Sequence, residues 1–341
     1  MNEEILFDDE KAAAHGRRDK QSSDAERIRW RHRLPAVVVR RAEDSGERGI
    51  RWLDELDGVV AALESLWRIK VGAVLSGGTH GLAADAVGWD GERYVLKIDI
   101  PGDPEDDEFF RSIRVFSAAG GRGYARLIAW DEKRQACLLE RLGAPLSKLG
   151  LPLEEQLAII CRTLEETWRI PAAGMKLPTG ADSVQWFRTF LAAENQRLGR
   201  PCGTAVLDQA SAFLASREQR LDPSGYVLVH GDAHAANTLE DRTRTGCFKF
   251  IDPDGLVYEK AYDLGVLMRE WTEAYQPDPL ARGLERCRYL HRLTGVNQRG
   301  IWEWGFLQCV STGLVLWMAD RPAAQRLLSV AQAWCGATAE P

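Results

Sequence analysis

The chain has 341 residues, 45% of them apolar, which is enough for about two domains that each bury a core. Its 44 basic and 50 acidic side chains give a formal net charge of −6, and this sign disfavours a nucleic-acid partner, because contacts to phosphates need a net basic surface. The seven cysteines are odd in number and include no C-x-x-C pair, so neither a disulfide framework nor a cysteine zinc site is expected.

The first 33 residues are rich in charged side chains and are predicted to form a tail or a loosely docked helix. They contain no long apolar stretch and therefore do not resemble a signal peptide. The sequence has no window of about 18 uninterrupted apolar residues, so no transmembrane helix is predicted. We therefore expect a cytoplasmic protein without a membrane partner.

Residues 53–67 carry apolar side chains at helical spacing and predict a helix. Three short strand-like runs follow, and they are separated by turns that contain glycine. The second of these turns is Asp90-Gly91, a pair that strongly favours a hairpin. The runs, at 71–75, 82–89 and 94–98, therefore predict a small antiparallel sheet.

A second helix is predicted after Asp103, which is a suitable N-cap and is followed by Pro104 at the first helical position. It should end near Gly120, and strand-like runs follow at 124–130 and 136–140. After Gly143 the pattern is mainly helical, apart from short strand-like runs at 226–229 and 248–251.

The pattern thus predicts an α+β fold with two lobes. A charged tail at 1–33 precedes an N-lobe at 34–142, which holds the small antiparallel sheet and is expected to bind a nucleotide. A mainly helical C-lobe at 143–341 holds the motifs described next.

The segment His230-Gly231-Asp232-Ala233-His234-Ala235-Ala236-Asn237 is followed by an apolar run that presents Asp252. Kinase catalytic loops, H-R-D-x-x-x-x-N, have the same step from Asp to Asn. In such a loop one carboxylate meets the attacking hydroxyl, an amide oxygen reaches a Mg²⁺ ion on the nucleotide phosphates, and a second carboxylate holds the ion from the other side. We therefore predict that Asp232 is the catalytic carboxylate and that Asn237 and Asp252 bind Mg²⁺ together with ATP.

His230 and His234 are four residues apart, which is also the spacing of zinc-binding histidines in metalloprotease helices. In those helices a glutamate directly follows the first histidine, but this chain has Gly231 there. Zinc binding is therefore disfavoured, His230 is expected to be structural, and His234 has no assigned role.

A turn that contains glycine, Ser76-Gly77-Gly78, lies between the first two predicted strands. It matches neither the Rossmann nor the Walker pattern, but glycines let backbone N–H groups approach phosphate oxygens closely. Lys97 is flanked by apolar residues, like the phosphate-binding lysine on the third strand of kinases. We predict that the turn and Lys97 bind the nucleotide and that Glu108 pairs with Lys97, with Glu105 as the alternative partner.

The segment from Leu138 to Gly143 lies where the strand-rich half of the sequence ends. In a two-lobed kinase this hinge supplies backbone hydrogen bonds to the adenine ring. Glu140 and Leu142 are therefore further candidates for nucleotide binding.

These residues resemble the aminoglycoside phosphotransferase superfamily of kinase-like enzymes, and most of all its streptomycin 6-phosphotransferase and hydroxyurea phosphotransferase family. The likeness is carried by the catalytic loop, by Ile251-Asp252-Pro253-Asp254-Gly255-Leu256-Val257 and by Tyr262-Asp263-Leu264-Gly265. The resemblance implies a two-lobed, protein-kinase-like fold. It also implies a catalytic base at Asp232, Mg²⁺ ligands at Asn237 and Asp252, and a phosphate contact at Lys97.

The resemblance also marks positions at which this chain departs from its relatives. Asp254 stands where relatives often carry Lys or Glu, while Tyr258 and Lys260 stand where Gly and Pro are common. Asp263 resembles a family residue that is structural or lies near the substrate. Because the catalytic set is intact, the departures bear on the substrate rather than on activity.

Four acidic residues follow the metal loop closely and are predicted to bind a cationic group of the substrate: Asp254, Glu259, Glu270 and Glu273. Lys260 and Arg269 stand among them and would offset part of their charge. We therefore expect ATP-dependent phosphate transfer to a hydroxyl of a small cationic molecule, foremost an aminoglycoside antibiotic of the streptomycin type. The alternatives are a metabolic kinase of the same fold, acting on an amino sugar, amino alcohol or amino-acid hydroxyl, and a nucleotide-binding pseudokinase.

Overall fold

In the computed structural model, residues 30–102 and 108–339 are described, and they divide into two compact units. The first unit contains the described residues up to Gly102 together with Asp131–Ala136, and the second contains residues 108–130 and 137–339. Within the described ranges, no helix combines the length and the apolar composition that a membrane crossing requires.

The first unit consists of two helices followed by an antiparallel meander. Helices α1 (Ala36–Asp44) and α2 (Glu47–Trp67) precede strands β1 (Ile69–Val74), β2 (Gly81–Gly88) and β3 (Arg93–Asp99). In the meander Ile69 lies opposite Gly88, and Gly81 lies opposite Asp99. The small antiparallel sheet predicted from the sequence is therefore confirmed.

Helix α2 begins earlier than the predicted start at residue 53, because its buried face continues through Trp52 to Gly49. A Cβ atom on Gly49 would lie 1.9 Å from the carbonyl oxygen of Ala42, so glycine allows α1 and α2 to approach closely. The helix ends at Trp67 and is followed by Arg68, whose left-handed φ of 52° leads the chain into β1.

The second unit is mainly helical. Its helices are α3 (Glu108–Ala119), α4 (Leu153–Thr167), α5 (Gly180–Arg197), α6 (Thr204–Glu218), α7 (Ala261–Arg269), α8 (Pro279–Thr294), α9 (Gln298–Leu316) and α10 (Arg321–Trp334). It also contains almost all of strands β4 (Leu127–Asp131) and β5 (Ala136–Glu140), and it contains β6 (Val227–Val229), β7 (Thr238–Glu240), β8 (Phe248–Phe250) and β9 (Leu256–Tyr258). Of two short antiparallel pairs, β6 with β9 flanks the segment from His230 to Asp252, and β7 with β8 lies within it.

The core of the second unit is centred on the packing of α7 against α9. A Cβ atom on Gly265 would lie 2.6 Å from the Cβ of Trp304, and one on Gly305 would lie 2.5 Å from the Cβ of Met268. Both glycines therefore let the two helix backbones come closer than larger residues would allow. The fully buried Trp304 fills the space beside this contact.

The predicted α+β architecture, an antiparallel sheet followed by a mainly helical region, is confirmed. The predicted strand-like runs at 226–229 and 248–251 correspond to β6 and β8. Strands β7 and β9 were not predicted, because β7 has a single apolar residue and β9 forms through pairing with β6, which is distant in the sequence. Helix α3 belongs to the second unit, and the boundary between an N-lobe and a C-lobe at residue 142 stays a prediction. Asp103 and Pro104, predicted to begin that helix, lie outside the described residues. The same is true of residues 1–29 of the predicted tail.

Candidate active site

His230 anchors the start of the loop that carries Asp232. It follows β6 and is fully buried. Its Nδ1 accepts a hydrogen bond from the backbone N–H of Asp232 at 3.1 Å, so the ring proton lies on Nε2, which donates to the carbonyl oxygen of Ile251 at 2.9 Å. Burial lowers the pKa of His230 to about 4, so the imidazole is neutral at physiological pH. The ring thus joins the catalytic loop to the segment that precedes Asp252.

Asp263 stabilises the same loop through hydrogen bonds to its backbone. Its carboxylate accepts hydrogen bonds from the backbone N–H groups of His230 at 3.1 Å and Gly231 at 2.9 Å, and from the indole N–H of Trp168 at 2.9 Å. Burial raises the pKa of Asp263 to about 6, although the three donors oppose that shift. Because Asp263 belongs to α7 and Trp168 follows α4, the carboxylate ties two helices to the loop.

Gly231 lets the loop pass close to Asp254. Its φ of 90° lies in the left-handed region, and a Cβ atom there would lie 2.5 Å from Oδ2 of Asp254. Burial, reinforced by the charge of Asp232, raises the pKa of Asp254 to about 8. Asp254 therefore lies beside the catalytic loop.

Both carboxylate oxygens of Asp232 have neighbouring donors. Oδ1 accepts a hydrogen bond from Nη2 of Arg269, while Oδ2 lies 3.3 Å from Nε2 of His234 and 3.4 Å from Nδ2 of Asn237. Burial alone would raise the pKa of Asp232, but the hydrogen bond from His234 and the charge of Arg269 outweigh it and hold the pKa well below its usual value. The side chain is 33% exposed, so this ionised carboxylate remains accessible to a hydroxyl group.

His234, to which the sequence assigned no role, is directed at Asp232. Its Nδ1 accepts hydrogen bonds from the backbone N–H groups of Ala236 at 3.2 Å and Asn237 at 3.3 Å. The proton of the neutral ring therefore lies on Nε2, the atom that faces the Asp232 carboxylate. This geometry does not suit a zinc ligand, because Nε2 carries the proton and Nδ1 already accepts two hydrogen bonds.

Asn237 and Asp252 lie on neighbouring segments. Asn237 directly precedes β7, Asp252 follows β8 after one intervening residue, and the two strands are paired. The backbone N–H of Ile251 donates to the carbonyl oxygen of Asn237 at 3.0 Å and extends this pairing toward Asp252. Asp252 itself has a φ of 55°, a left-handed conformation that aspartate tolerates better than most residues.

The side-chain amide of Asn237 links Asp232 to the predicted metal site. Its Nδ2 donates to the backbone carbonyl oxygen of Asp232 at 3.1 Å, which leaves Oδ1 as the predicted ligand atom. This oxygen and the Asp252 carboxylate are hard ligands of the kind that Mg²⁺ prefers. Among the described residues, no cluster of three or more His, Cys, Asp or Glu side chains is arranged to hold a metal ion. One amide oxygen and one carboxylate are the donor types that Mg²⁺ takes from a protein when phosphate and water supply its other ligands, so these two residues fit the predicted ion.

The predicted phosphate-binding residues of the first unit lie in the turn between β1 and β2 and on β3. Gly77, with a φ of 106°, is part of the exposed turn between β1 and β2, and the turn is closed by a hydrogen bond from the N–H of Leu75 to the carbonyl oxygen of Ala83 at 2.8 Å. Ala83 lies opposite Lys97 in the ladder of β2 and β3. Ser76 and Gly78 complete the turn, and Lys97 is half-buried.

Glu108, Glu140 and Leu142 lie in the second unit. Glu108 is the first residue of α3 and contributes to the raised pKa of Asp254; its predicted pairing with Lys97 remains a prediction, and the competing Glu105 lies outside the described residues. Glu140 ends β5, and its Oε1 accepts hydrogen bonds from Nζ of Lys249 at 2.6 Å and from the backbone N–H of Arg126 at 2.7 Å. Leu142 is buried.

The four predicted substrate-binding acids occupy different surroundings. Asp254 lies against Gly231, and Oε1 of Glu270 lies 3.5 Å from Nε of Arg269, so both are near Asp232. Glu259 accepts hydrogen bonds from Nη1 of Arg217 at 3.2 Å and from the indole of Trp304 at 2.8 Å. Glu273 lies in the 3₁₀ turn Thr272–Tyr275, is largely exposed and pairs with Arg326 at 3.2 Å.

Comparison with known proteins places the chain in a sequence family. The model of the aminoglycoside/hydroxyurea antibiotic resistance kinases matches residues 71–320. Streptomycin 6-kinase of Streptomyces glaucescens is 24% identical over 247 residues, which cover 71% of this chain and 76% of the relative. Hydroxyurea phosphotransferase of Kitasatospora aureofaciens is 27% identical over 246 residues, which cover 69% of each chain.

Solved structures show the fold. A thermostable mutant of aminoglycoside phosphotransferase APH(4)-Ia, in a ternary complex with ADP and hygromycin B, has a TM-score of 0.57 and 17% identity, covering 82% of this chain and 100% of that one. Plasmodium vivax ethanolamine kinase has a TM-score of 0.58 and 14% identity, covering 87% of this chain and 94% of that one. These similarities confirm the predicted kinase-like fold.

Proposed function

The chain belongs to the aminoglycoside/hydroxyurea antibiotic resistance kinase family, and we propose that it transfers the γ-phosphate of ATP to a hydroxyl of a small cationic molecule, foremost an aminoglycoside of the streptomycin type. As a member of this family it is a phosphotransferase with an alcohol group as acceptor. The observation that carries the proposal is the surroundings of Asp232, an accessible, ionised carboxylate whose Oδ2 lies 3.4 Å from Nδ2 of Asn237, one of the two predicted Mg²⁺ ligands.

Asp232 acts on the acceptor. Its carboxylate orients the hydroxyl by accepting a hydrogen bond and would take the proton as the bond from the hydroxyl oxygen to the γ-phosphorus forms and the bond from that phosphorus to the bridging oxygen breaks, releasing ADP. Phosphoryl transfer passes through a loose transition state, so orientation of the hydroxyl matters more than the strength of the base. A carboxylate with a lowered pKa is suited to this task.

We assign nucleotide binding to the residues predicted to contact phosphate, metal and adenine. The turn Ser76-Gly77-Gly78 and Lys97 would bind the phosphates, and Glu140 and Leu142 would contact the adenine through their backbone groups. Oδ1 of Asn237 and the carboxylate of Asp252 would hold Mg²⁺, which when bound neutralises charge on the phosphate oxygens. Because Nδ2 of Asn237 holds Asp232, one side chain would connect the metal site with the catalytic carboxylate.

A cationic acceptor is supported by the acids near Asp232. Glu270 lies beside Arg269, which contacts Asp232, and would favour a positively charged group on the substrate. Asp254 lies against Gly231 of the catalytic loop, but with a pKa of about 8 its carboxyl is mostly neutral near pH 7 and would act as a hydrogen-bonding group rather than as an anion. Glu259 and Glu273 already have partners in Arg217 and Arg326, so the proposal depends less on them.

A panel of acceptors tests the proposal. Consumption of Mg-ATP is measured with streptomycin, hydroxyurea, ethanolamine and glucosamine, and the phosphorylated product is identified by mass spectrometry. We expect streptomycin to be phosphorylated. Turnover with ethanolamine or glucosamine alone would support the metabolic alternative, and turnover with hydroxyurea alone would contradict the need for a cation.

Asp232→Ala is the decisive variant. We expect kcat to fall by a factor of about 10²–10⁴, while the affinity for Mg-ATP stays nearly unchanged, because other residues hold the nucleotide. Asp208→Ala, an exposed carboxylate on α6, serves as the matched control and should behave as wild type. Retention of more than about a tenth of the wild-type kcat in Asp232→Ala would contradict the assignment. Binding of Mg-ATP without turnover of any acceptor in the wild type would favour a pseudokinase.

A further inference from the structure

Arg269 contacts the catalytic carboxylate and is firmly anchored on its other side. Its Nη1 donates to Oε1 of Gln308 at 2.7 Å and to Oγ1 of Thr312 at 3.1 Å, and its Nε lies 3.5 Å from Oε1 of Glu270. The side chain is only 13% exposed. These three partners direct the remaining nitrogen, Nη2, toward Oδ1 of Asp232.

The anchors of Arg269 are part of the helix packing. Gln308 and Thr312 are four residues apart on α9 and therefore share one face of that helix. Helix α7, which ends at Arg269, is held close to α9 by Gly265 and Gly305. The position of the guanidinium is therefore set by the core rather than by a flexible surface segment.

The ion pair restricts the rotation of the Asp232 carboxylate. Arg269 holds Oδ1, while Asn237 and His234 lie near Oδ2, so the two oxygens have distinct partners. Donors on both oxygens fix the plane of the group and hence the direction of its remaining lone pairs. An acceptor hydroxyl can then approach along only a narrow range of directions.

We propose that Arg269 is a positioning residue for phosphoryl transfer, because it fixes the orientation in which the Asp232 carboxylate meets the acceptor hydroxyl. The inference rests on the role proposed for Asp232. Arginine is suited to this position, since its planar group makes several hydrogen bonds in a fixed geometry that the ammonium of lysine cannot reproduce.

The test compares Arg269→Ala and Arg269→Lys with the wild type. Consumption of Mg-ATP is measured without an added acceptor, which gives the basal hydrolysis of ATP, and then with streptomycin. We expect kcat of Arg269→Ala to fall about 100-fold, which is the cost of a small misplacement of a catalytic group, while the KM for ATP changes little. Arg269→Lys should recover part of the loss. Millimolar guanidinium chloride should raise the activity of Arg269→Ala more than potassium chloride does, because the free cation can occupy the vacated position.

Two further variants make the outcome decisive. Thr312→Val keeps the side-chain volume and removes one anchor, so kcat should fall several-fold with an unchanged KM for ATP even if Arg269→Ala does not fold. Arg282→Ala removes an exposed arginine of α8 that pairs with Glu285, and it should leave kcat at the wild-type value. Thermal unfolding of each variant identifies any loss of fold.

Asp232→Ala in the same assays separates the two proposals. If Asp232→Ala keeps its activity, the proposed function itself is wrong. If Asp232→Ala is inactive while Arg269→Ala and Thr312→Val keep the wild-type kcat, only the inference about Arg269 is wrong. An increased kcat in Arg269→Ala would also overturn it, because the ion pair would then restrain the enzyme rather than position its carboxylate.

Discussion

The donors around Asp232 set its chemistry before a substrate is bound. Arg269 and His234 stabilise the ionised carboxylate and so make it a weak base. In the mechanism proposed here, the rate enhancement must therefore come from orientation of the hydroxyl and from charge on the phosphate side. In this mechanism the rate therefore depends most on the residues predicted to bind phosphate and metal, above all Asp252.

Asp252→Ala should weaken the binding of Mg-ATP itself. The substitution removes one of the two predicted protein ligands of a doubly charged ion, and water replaces a carboxylate poorly in a partly enclosed site. The increase in unfolding temperature that Mg-ATP causes in the wild type should be largely lost in the variant. Asp208→Ala is again the control, and an undiminished shift in Asp252→Ala would count against its role as a ligand.

His230 should make the stability of the protein depend on pH. Its pKa is about 4 in the folded protein, below the value of about 6.5 for an unfolded histidine. Its contribution is fully present above pH 6.5 and is lost as the pH falls toward 4, because the unfolded chain then binds a proton that the folded protein does not. Lowering the pH from about 7.5 to about 5 should therefore lower the free energy of unfolding by about 2 kcal/mol through this residue.

Urea unfolding at the two pH values measures this contribution. His230→Asn, which can still accept the hydrogen bond from Asp232, should be less stable overall but should lack this part of the acid sensitivity. His32→Asn, at an exposed position in the first unit, should retain it. An unchanged pH dependence in His230→Asn would mean that other groups cause the effect.

At the scale of single residues, the sequence alone could suggest site residues only where local spacing singles them out. Asp232, Asn237 and Asp252 were selected by their order along the chain, and the pairing of β7 with β8 brings their segments together. The contact between Arg269 and Asp232 could not be foreseen, because it joins residues from separate elements. It depends on how α7 packs against α9, which is not encoded in any short motif.

Helix α7 supports the catalytic loop from two positions. Asp263, in its first turn, accepts hydrogen bonds from the backbone at His230 and Gly231, and Arg269, at its end, contacts Asp232. A shift of this helix would therefore move both supports together. The closeness of α7 to α9 is what keeps the helix in place.

Gly265→Ala should destabilise this packing. The new Cβ would lie 2.6 Å from the Cβ of Trp304, so the helices must separate, at a cost of about 1–3 kcal/mol in the free energy of unfolding. Gly58→Ala is the matched control, because Gly58 lies within α2 with nothing within 4 Å of a new Cβ. The control should stabilise the protein by about 0.5–1 kcal/mol. Urea unfolding distinguishes the two, and a shift of the same sign in both variants would contradict this account.

Elements that show a pattern in their own residues were predictable, including the short strands β6 and β8, whereas β7 and β9 were not. Helix α2 and strands β1 to β3 follow from periodicity and from turn residues, because each spans enough residues to show its pattern. Strands β7 and β9 have three residues each and form only because tertiary contacts bring their partners close. The start of α2 was missed for another reason, since Gly49 indicates a break in the sequence but serves a close helix contact in the structure.

At the scale of the molecule, the chain carries a net charge of −6, and acids lie near the proposed acceptor site. If these charges attract a cationic acceptor, salt should screen the attraction, since the Debye length falls from about 30 Å at 0.01 M to about 3 Å at 1 M. The KM for streptomycin should therefore rise several-fold between low and high potassium chloride. Glu270→Gln should reduce this dependence, whereas a KM that is insensitive to salt would contradict a charge-based selection of the acceptor.

The hydrogen bond from the Trp168 indole to Asp263 can be followed by NMR spectroscopy. An indole proton that is donated to a buried carboxylate resonates downfield in an NMR spectrum and exchanges slowly with deuterium. Trp168 is therefore an internal reporter of whether α4, α7 and the catalytic loop are assembled, and it can be read without any knowledge of the acceptor.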